Sequence, residues 1–303
     1  MRPCAGQYSR DQAIAQAGIP KYANAAKEAG PATASLDVEA GRADEQWEQP
    51  RLRWLAPIPT EAARIERPRS LTGERMAKKR VAVLISGRGS NMASLIEAAK
   101  EHTYPAEIAV VVSNQPHAPG LARAQAQAIP TALVDHRPHG KDRAGFERAL
   151  QAVLDAHGVE LVCLGGFMRL LTPQFVRHWQ GRMLNIHPSL LPSFPGLDPH
   201  GQALKAGVKI SGATVHFVVP ETDAGPIIAQ AAVPVRDDDS AETLAARVLE
   251  IEHRIYPLAL RLVAEGRVKI LGGRCLVEGA HPAQGALLVP EAQQRQAGTG
   301  GRE

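Results

Sequence analysis

The sequence predicts an α/β fold built on an open, mostly parallel sheet with helices on both faces. Three observations predict it. Apolar runs of four to seven residues recur from Arg80 onward, as expected of strands buried on both faces. Stretches with a one-sided apolar stripe separate them, which is the pattern of helices between parallel strands. The second half then changes to alternating strands, with Val215 and Phe217 on one face and Thr214 and His216 on the other.

In order, Val81–Ser86 is the first strand and ends at glycine. Asn91–Lys100 is a helix with Met92, Leu95, Ile96 and Ala99 on its stripe and Ser90 as its N-cap. Glu107–Ser113 is a strand, Gly120–Ala128 a helix and Thr131–Val134 a strand. Asp142–His157 is a longer helix stopped by Gly158, and Leu161–Leu164 is a fourth buried strand. Met183–His187 is the next strand, followed by a Pro-rich loop from Pro188 to Pro199. Ala229–Val235 is expected to pair with Ala213–Val219. Asp239 and Glu242 form a capping signal for a helix with stripe Leu244, Val248, Ile251 and Ile255, which Pro257 should kink or end.

Composition narrows the function classes. The chain has 303 residues, 44% hydrophobic, with a net charge of +4. No run of five Lys or Arg appears and aromatics are 4%, so a nucleic-acid partner is not expected. The three cysteines, Cys4, Cys163 and Cys275, are far apart and form no CxxC, so neither a disulfide framework nor a metal site is expected. No apolar run reaches membrane-spanning length. The expected setting is cytoplasmic, with small-molecule substrates, no membrane partner, and a monomer or homodimer. Residues 1–75 are rich in Ala, Glu, Arg, Pro and Gln without a strand pattern, apart from a short helix over Asp11–Ala17. They read as a disordered extension or as a start placed upstream of Met76. Residues 76–282 read as the catalytic domain and 283–303 as a flexible tail.

Five motifs carry chemistry. Asn185 and His187 are two apart on one strand, so both face one side while Leu184 and Ile186 anchor the other. A donor for an oxyanion and a general acid would thus converge, the pairing that acyl transfer needs. Ser86-Gly87-Arg88-Gly89-Ser90-Asn91 lies between a strand and a helix, where glycines and free amides suit a single phosphate. It fits neither a dinucleotide fingerprint nor a Walker loop, and a tight turn with a capping serine would explain it equally well. Gly165-Gly166-Phe167-Met168-Arg169-Leu170-Leu171 lies at the carboxyl end of the fourth strand. Its apolar side chains suit a flat heteroaromatic ring or simply cap the core. Asp223, before Ala224-Gly225-Pro226, is a turn residue or a carboxylate favouring a protonated His187. Glu252 stands at the edge of the last helical stripe, as a boundary residue or a partner for a ligand amine.

Taken together with Phe194-Pro195-Gly196, Gly212–Phe217 and Glu252-His253, these motifs are similar to those of the phosphoribosylglycinamide formyltransferases over about Lys79 to Gly279. The resemblance implies a Rossmann-like formyltransferase fold. It implies transfer of the formyl group of 10-formyltetrahydrofolate to the amine of 5-phosphoribosylglycinamide, in purine (IMP) biosynthesis, with no metal. It implies that Gly89, Ser90 and Asn91 hold the substrate phosphate and Glu252 the ribose–glycinamide part. Arg143, Met168, Arg169, Leu170 and Leu171 would line the folate site, with Asn185, Val219, Pro220, Glu221, Thr222 and Asp223. Asn185 would polarise the formyl oxygen, His187 would act as general acid, and Asp223 would hold its protonation state. Where the family usually shows His-Thr/Ala-His, this chain has Asp198-Pro199-His200. The competing readings are a formyltetrahydrofolate hydrolase, which typically shows His-His-Ser where this chain has His187-Pro188-Ser189, and a folate binder without turnover. A methionyl-tRNA formyltransferase would need a longer, basic C-terminal region than this chain has.

Overall fold

The computed structural model describes residues 77–280, 287 and 289. The expectations for residues 1–75, for the helix at Asp11–Ala17 and for nearly all of 283–303 lie outside them. Strands β1 (Lys79–Ile85), β2 (Ala106–Ser113), β3 (Thr131–Leu133), β4 (Leu161–Leu164), β5 (Met183–His187), β6 (Ile210–Phe217) and β7 (Ile227–Pro234) form one sheet. Its order is β3-β2-β1-β4-β5-β6-β7. The pairings from β3 through β5 are parallel, and β5–β6 and β6–β7 are antiparallel. A separate hairpin, β8 (Val268–Leu271) and β9 (Arg274–Val277), escaped the sequence reading.

Strand β1 shows why the runs are continuously apolar. Val81, Val83 and Ile85 feed one core, and Ala82 and Leu84 feed the other. The first core is completed by α1 (Ser90–Ala99) and α6 (Ala241–Ala264), through Met92, Leu95, Leu244 and Val248. The second is completed by α3 (Arg143–Ala156) and α4 (Pro173–His178), through Phe146, Leu150 and Trp179. Each such fully buried aliphatic side chain stabilises the fold by about 1.5–3 kcal/mol. α2 (Pro119–Gln125) and α5 (Pro199–Ala206) complete the set of described α-helices.

Three local expectations are corrected. Ser90 is not the cap of α1: Gly89 is, at φ 67°, and no side chain caps the helix. The box that starts α6 is Ser240 with Thr243, while Asp239 instead accepts from Arg247 and Thr243. Of the two outcomes expected at Pro257, ending the helix is the one corrected, since α6 continues to Ala264; the carbonyl of Pro257 accepts the Tyr104 hydroxyl at 2.7 Å.

The first chain reversal of sheet order falls between β1 and β4. Strands β2 and β3 add on one side of β1, and β4 and β5 on the other. Ligands of such sheets bind at the carboxyl ends beside this switch. The loops after β1, β4 and β5 all open there.

Candidate functional site at the carboxyl edge of the sheet

Strand β5 ends at His187, and its antiparallel register with β6 sets Asn185 opposite His216 and His187 opposite Thr214. The ring of His216 is buried. Its Nδ1 lies 2.9 Å from the Phe217 carbonyl oxygen, so the proton sits on Nδ1. Nε2 therefore accepts from the Asn185 amide at 3.2 Å. Burial holds the His216 pKa below 6.5, against the pull of the Phe217 carbonyl and Asp223. One amide N–H of Asn185 is thus fixed on His216, and the other remains free to donate.

His187 is 6% exposed. Its Nε2 lies 3.0 Å from the Phe194 carbonyl oxygen, and its Nδ1 lies 3.4 Å from Asp223 Oδ2. Both ring nitrogens therefore face oxygens that can accept an N–H. Asp223 sits at φ 54° in the turn after β6, and Oδ2 also accepts the Gly196 amide at 2.8 Å. Gly225 permits this turn, because a Cβ there would collide with the Phe217 carbonyl.

Asn185, His187, His216 and Asp223 line a cleft of about 630 Å³. Met168, Arg169, Leu170 and Leu171 form one wall, and Val219, Pro220, Glu221 and Thr222 form another. Met168 is 73%, Leu170 65% and Leu197 86% exposed. Phe167 and Leu171 of the same loop pack against the second core, so the loop caps the core while Met168 and Leu170 leave apolar surface open at the cleft. Arg143 is exposed at the first turn of α3 and does not line the cleft. Asp198 does line it, and its carboxylate accepts the Gly201 amide at 3.1 Å as the N-cap of α5. The anion that departs from the usual family residue thus has a structural use.

Gly89, Ser90 and Asn91 form the start of α1. Without a side-chain cap, its first amides have no intrahelical acceptor, an arrangement that suits an anion. Asn91 donates to Glu252 Oε2 at 2.6 Å across a buried gap, and its Oδ1 has no partner. Burial raises the Glu252 pKa above 4.5, partly offset by the Asn91 hydrogen bond. This pair does not line the cleft. Sequence reasoning missed two contributors. His216 enters the sequence reading only through the alternation of its strand and the Gly212–Phe217 motif; its contact with Asn185 depends on the β5–β6 register, which the period-2 pattern alone does not supply. Ser86 was taken as part of the phosphate loop, yet its hydroxyl accepts the Met168 amide at 2.7 Å. Among the described residues no three His, Cys, Asp or Glu side chains are grouped to hold a metal.

Compared with known proteins, residues 79–260 match the family model described as formyl transferase. The Escherichia coli (strain K12) phosphoribosylglycinamide formyltransferase is 43% identical over 206 residues, which cover 68% of this chain and 97% of that protein. The trifunctional purine biosynthetic protein adenosine-3 of Gallus gallus is 52% identical over 193 residues, 64% of this chain. This chain spans only 19% of that protein's length. The crystal structure of glycinamide ribonucleotide transformylase 1 from Symbiobacterium toebii matches with a TM-score of 0.64 at 47% identity. That match covers 66% of this chain and 94% of the other. With the sheet order, the cleft and these matches in agreement, the chain belongs to the formyl transferase family.

Proposed function

We propose that this chain transfers the formyl group of 10-formyltetrahydrofolate to the amine of 5-phosphoribosylglycinamide, a step of purine (IMP) biosynthesis. The observation that carries the reading is the convergence of Asn185, His187 and Asp223 on one cleft with an exposed apolar rim. The names of its relatives support the choice of substrates. The folate fits on the evidence of that rim: Met168, Leu170 and Leu197 present apolar surface for a flat ring, and the cleft volume suits a drug-sized ligand. Bound there, the folate supplies the formyl carbon that the amine attacks.

The residues then divide the work. The free N–H of Asn185 donates to the oxygen that becomes anionic, and His216 keeps that amide from rotating. Once Nε2 exchanges the Phe194 carbonyl for it, His187 passes a proton to the folate nitrogen as its bond to the formyl carbon breaks, and the proton released by the attacking amine restores the ring. Asp223 stabilises the charged ring from the other side. The amides of Ser90 and Asn91, with Gly89 as left-handed cap, hold the phosphate, and Glu252 meets the ribose–glycinamide part. We assign this activity to residues 76–282. No described helix is long and apolar enough to cross a membrane, and the proposed setting is cytoplasmic, as a monomer or homodimer acting on small molecules.

The test follows the loss of the formyl-folate absorbance with and without phosphoribosylglycinamide. Loss only with the amine supports the transferase. Loss without it means a hydrolase, and no loss in either case means a binder.

A further inference from the structure

Ser86 is the last residue before the phosphate loop, and Met168 opens the exposed wall of the cleft. The Ser86 hydroxyl accepts the Met168 amide at 2.7 Å and donates to Asn114 Oδ1 at 2.5 Å. Because Met168 N–H already occupies the oxygen as a donor, the hydroxyl proton is directed at Asn114. The Ser86 amide in turn donates to the Gly166 carbonyl at 3.1 Å. Asn114 is 1% exposed at the end of β2, and its Nδ2 lies 3.2 Å from His136 Nδ1. One side chain thus ties the carboxyl ends of β1 and β2 and the loop after β4, at the switch point of the sheet. The far end of the same loop is held separately, where Thr172 donates to the buried Glu147 carboxylate through its amide and its hydroxyl.

We infer that Ser86 is a positioning residue that couples the two substrate subsites: it fixes the backbone of Gly166–Met168 against the phosphate loop. The inference rests on the proposed formyl transfer. Without the hydroxyl, the near end of the wall bearing Met168 and Leu170 loses the bond to the Met168 amide and keeps only the backbone bond from the Ser86 amide to the Gly166 carbonyl, while α1 keeps its own backbone bonds. The formyl-folate subsite is therefore the one that loosens.

The experiment measures KM for both substrates in wild type, Ser86→Ala, Ser86→Thr and Asn114→Ala, alongside thermal melting. Ser86→Ala should raise KM for the formyl-folate about three- to tenfold, the scale of one net hydrogen bond, with a smaller change for phosphoribosylglycinamide. Ser86→Thr, which keeps the hydroxyl, should restore it, and Asn114→Ala should shift the same KM in the same direction. Unchanged KM values, an equal rise in both, or loss of folding in Ser86→Ala makes the bond structural and overturns the inference. A wild-type protein without amine-dependent formyl loss overturns the proposed function instead.

Discussion

Asp223 Oδ2 lies 3.4 Å from His187 Nδ1 and accepts the Gly196 amide at 2.8 Å. One carboxylate oxygen therefore both faces the His187 ring and pins the loop whose Phe194 carbonyl faces the other ring nitrogen. Asp223→Asn tests the charge alone. Asparagine tolerates the left-handed φ of 54° at this position, so the turn survives. Turnover should fall by about 100-fold, the lower range for a general acid–base contribution, with KM for either substrate little changed. Steady-state kinetics check this, and near-normal turnover would sink the role of the carboxylate.

The two halves of the site differed in how legible they were. Period 2 on β5 put Asn185 and His187 on one face, and the cleft contains both. What surrounds them came from pairing register and from loop geometry, which depend on contacts distant in sequence: His216 across β6, Gly196 and Phe194 across a loop of left-handed residues. Caps were misplaced by one residue where several candidates were adjacent. Gly89 beat Ser90 because the chain enters α1 at positive φ, and Ser240 beat Asp239 because Arg247 and Thr243 claim the aspartate. Helices α4 and α5 were missed although each carries a readable start, Thr172-Pro173 and Asp198-Pro199, a capping side chain before proline. Both are short, so neither shows a long apolar stripe.

Glu252 should trade stability for binding. Burial raises its folded-state pKa above 4.5, so the folded state holds this proton more tightly than the unfolded chain. Its contribution is most favourable below pH 4.5 and is lost as pH rises through the folded value. Glu252→Gln removes that titration while its amide oxygen still accepts from Asn91. The Tm of the variant relative to wild type should increase as pH rises above 4.5, while KM for phosphoribosylglycinamide rises. A Tm difference independent of pH would show that the carboxylate is not strained by burial.

Gly120 shapes the loop proposed to hold the phosphate from outside it. Its amide donates to the Gly87 carbonyl at 3.1 Å. A Cβ at this position would overlap Ile85 Cδ1 and stand 3.0 Å from that same carbonyl oxygen. Ile85 is fully buried and cannot give way freely. Gly120→Ala should destabilise the fold by about 1–3 kcal/mol and raise KM for the phosphorylated amine more than for the folate. Denaturant unfolding and the two KM values check both halves, and an unperturbed phosphorylated-amine KM would detach Gly120 from the loop.

His216 makes the orientation of Asn185 sensitive to acid. Its pKa is held below 6.5 by burial, so the unfolded chain takes up this proton first as pH falls. Stability from the neutral ring is complete above pH 6.5 and is lost as pH drops from there toward the folded value. His200 and His253 are shifted in the same direction by burial, and they steepen the same slope. Protonation would also place an N–H of His216 against the Asn185 amide, where an acceptor now stands. His216→Gln should therefore flatten, without abolishing, the fall of Tm between about pH 7.5 and 5. At neutral pH the variant should lose turnover by about fivefold, the worth of one net hydrogen bond, because the Asn185 amide is no longer held by a fixed ring. Melting curves across that range and kcat at neutral pH decide it: parallel Tm slopes would remove His216 from the acid response, and an unchanged kcat would free Asn185 from it.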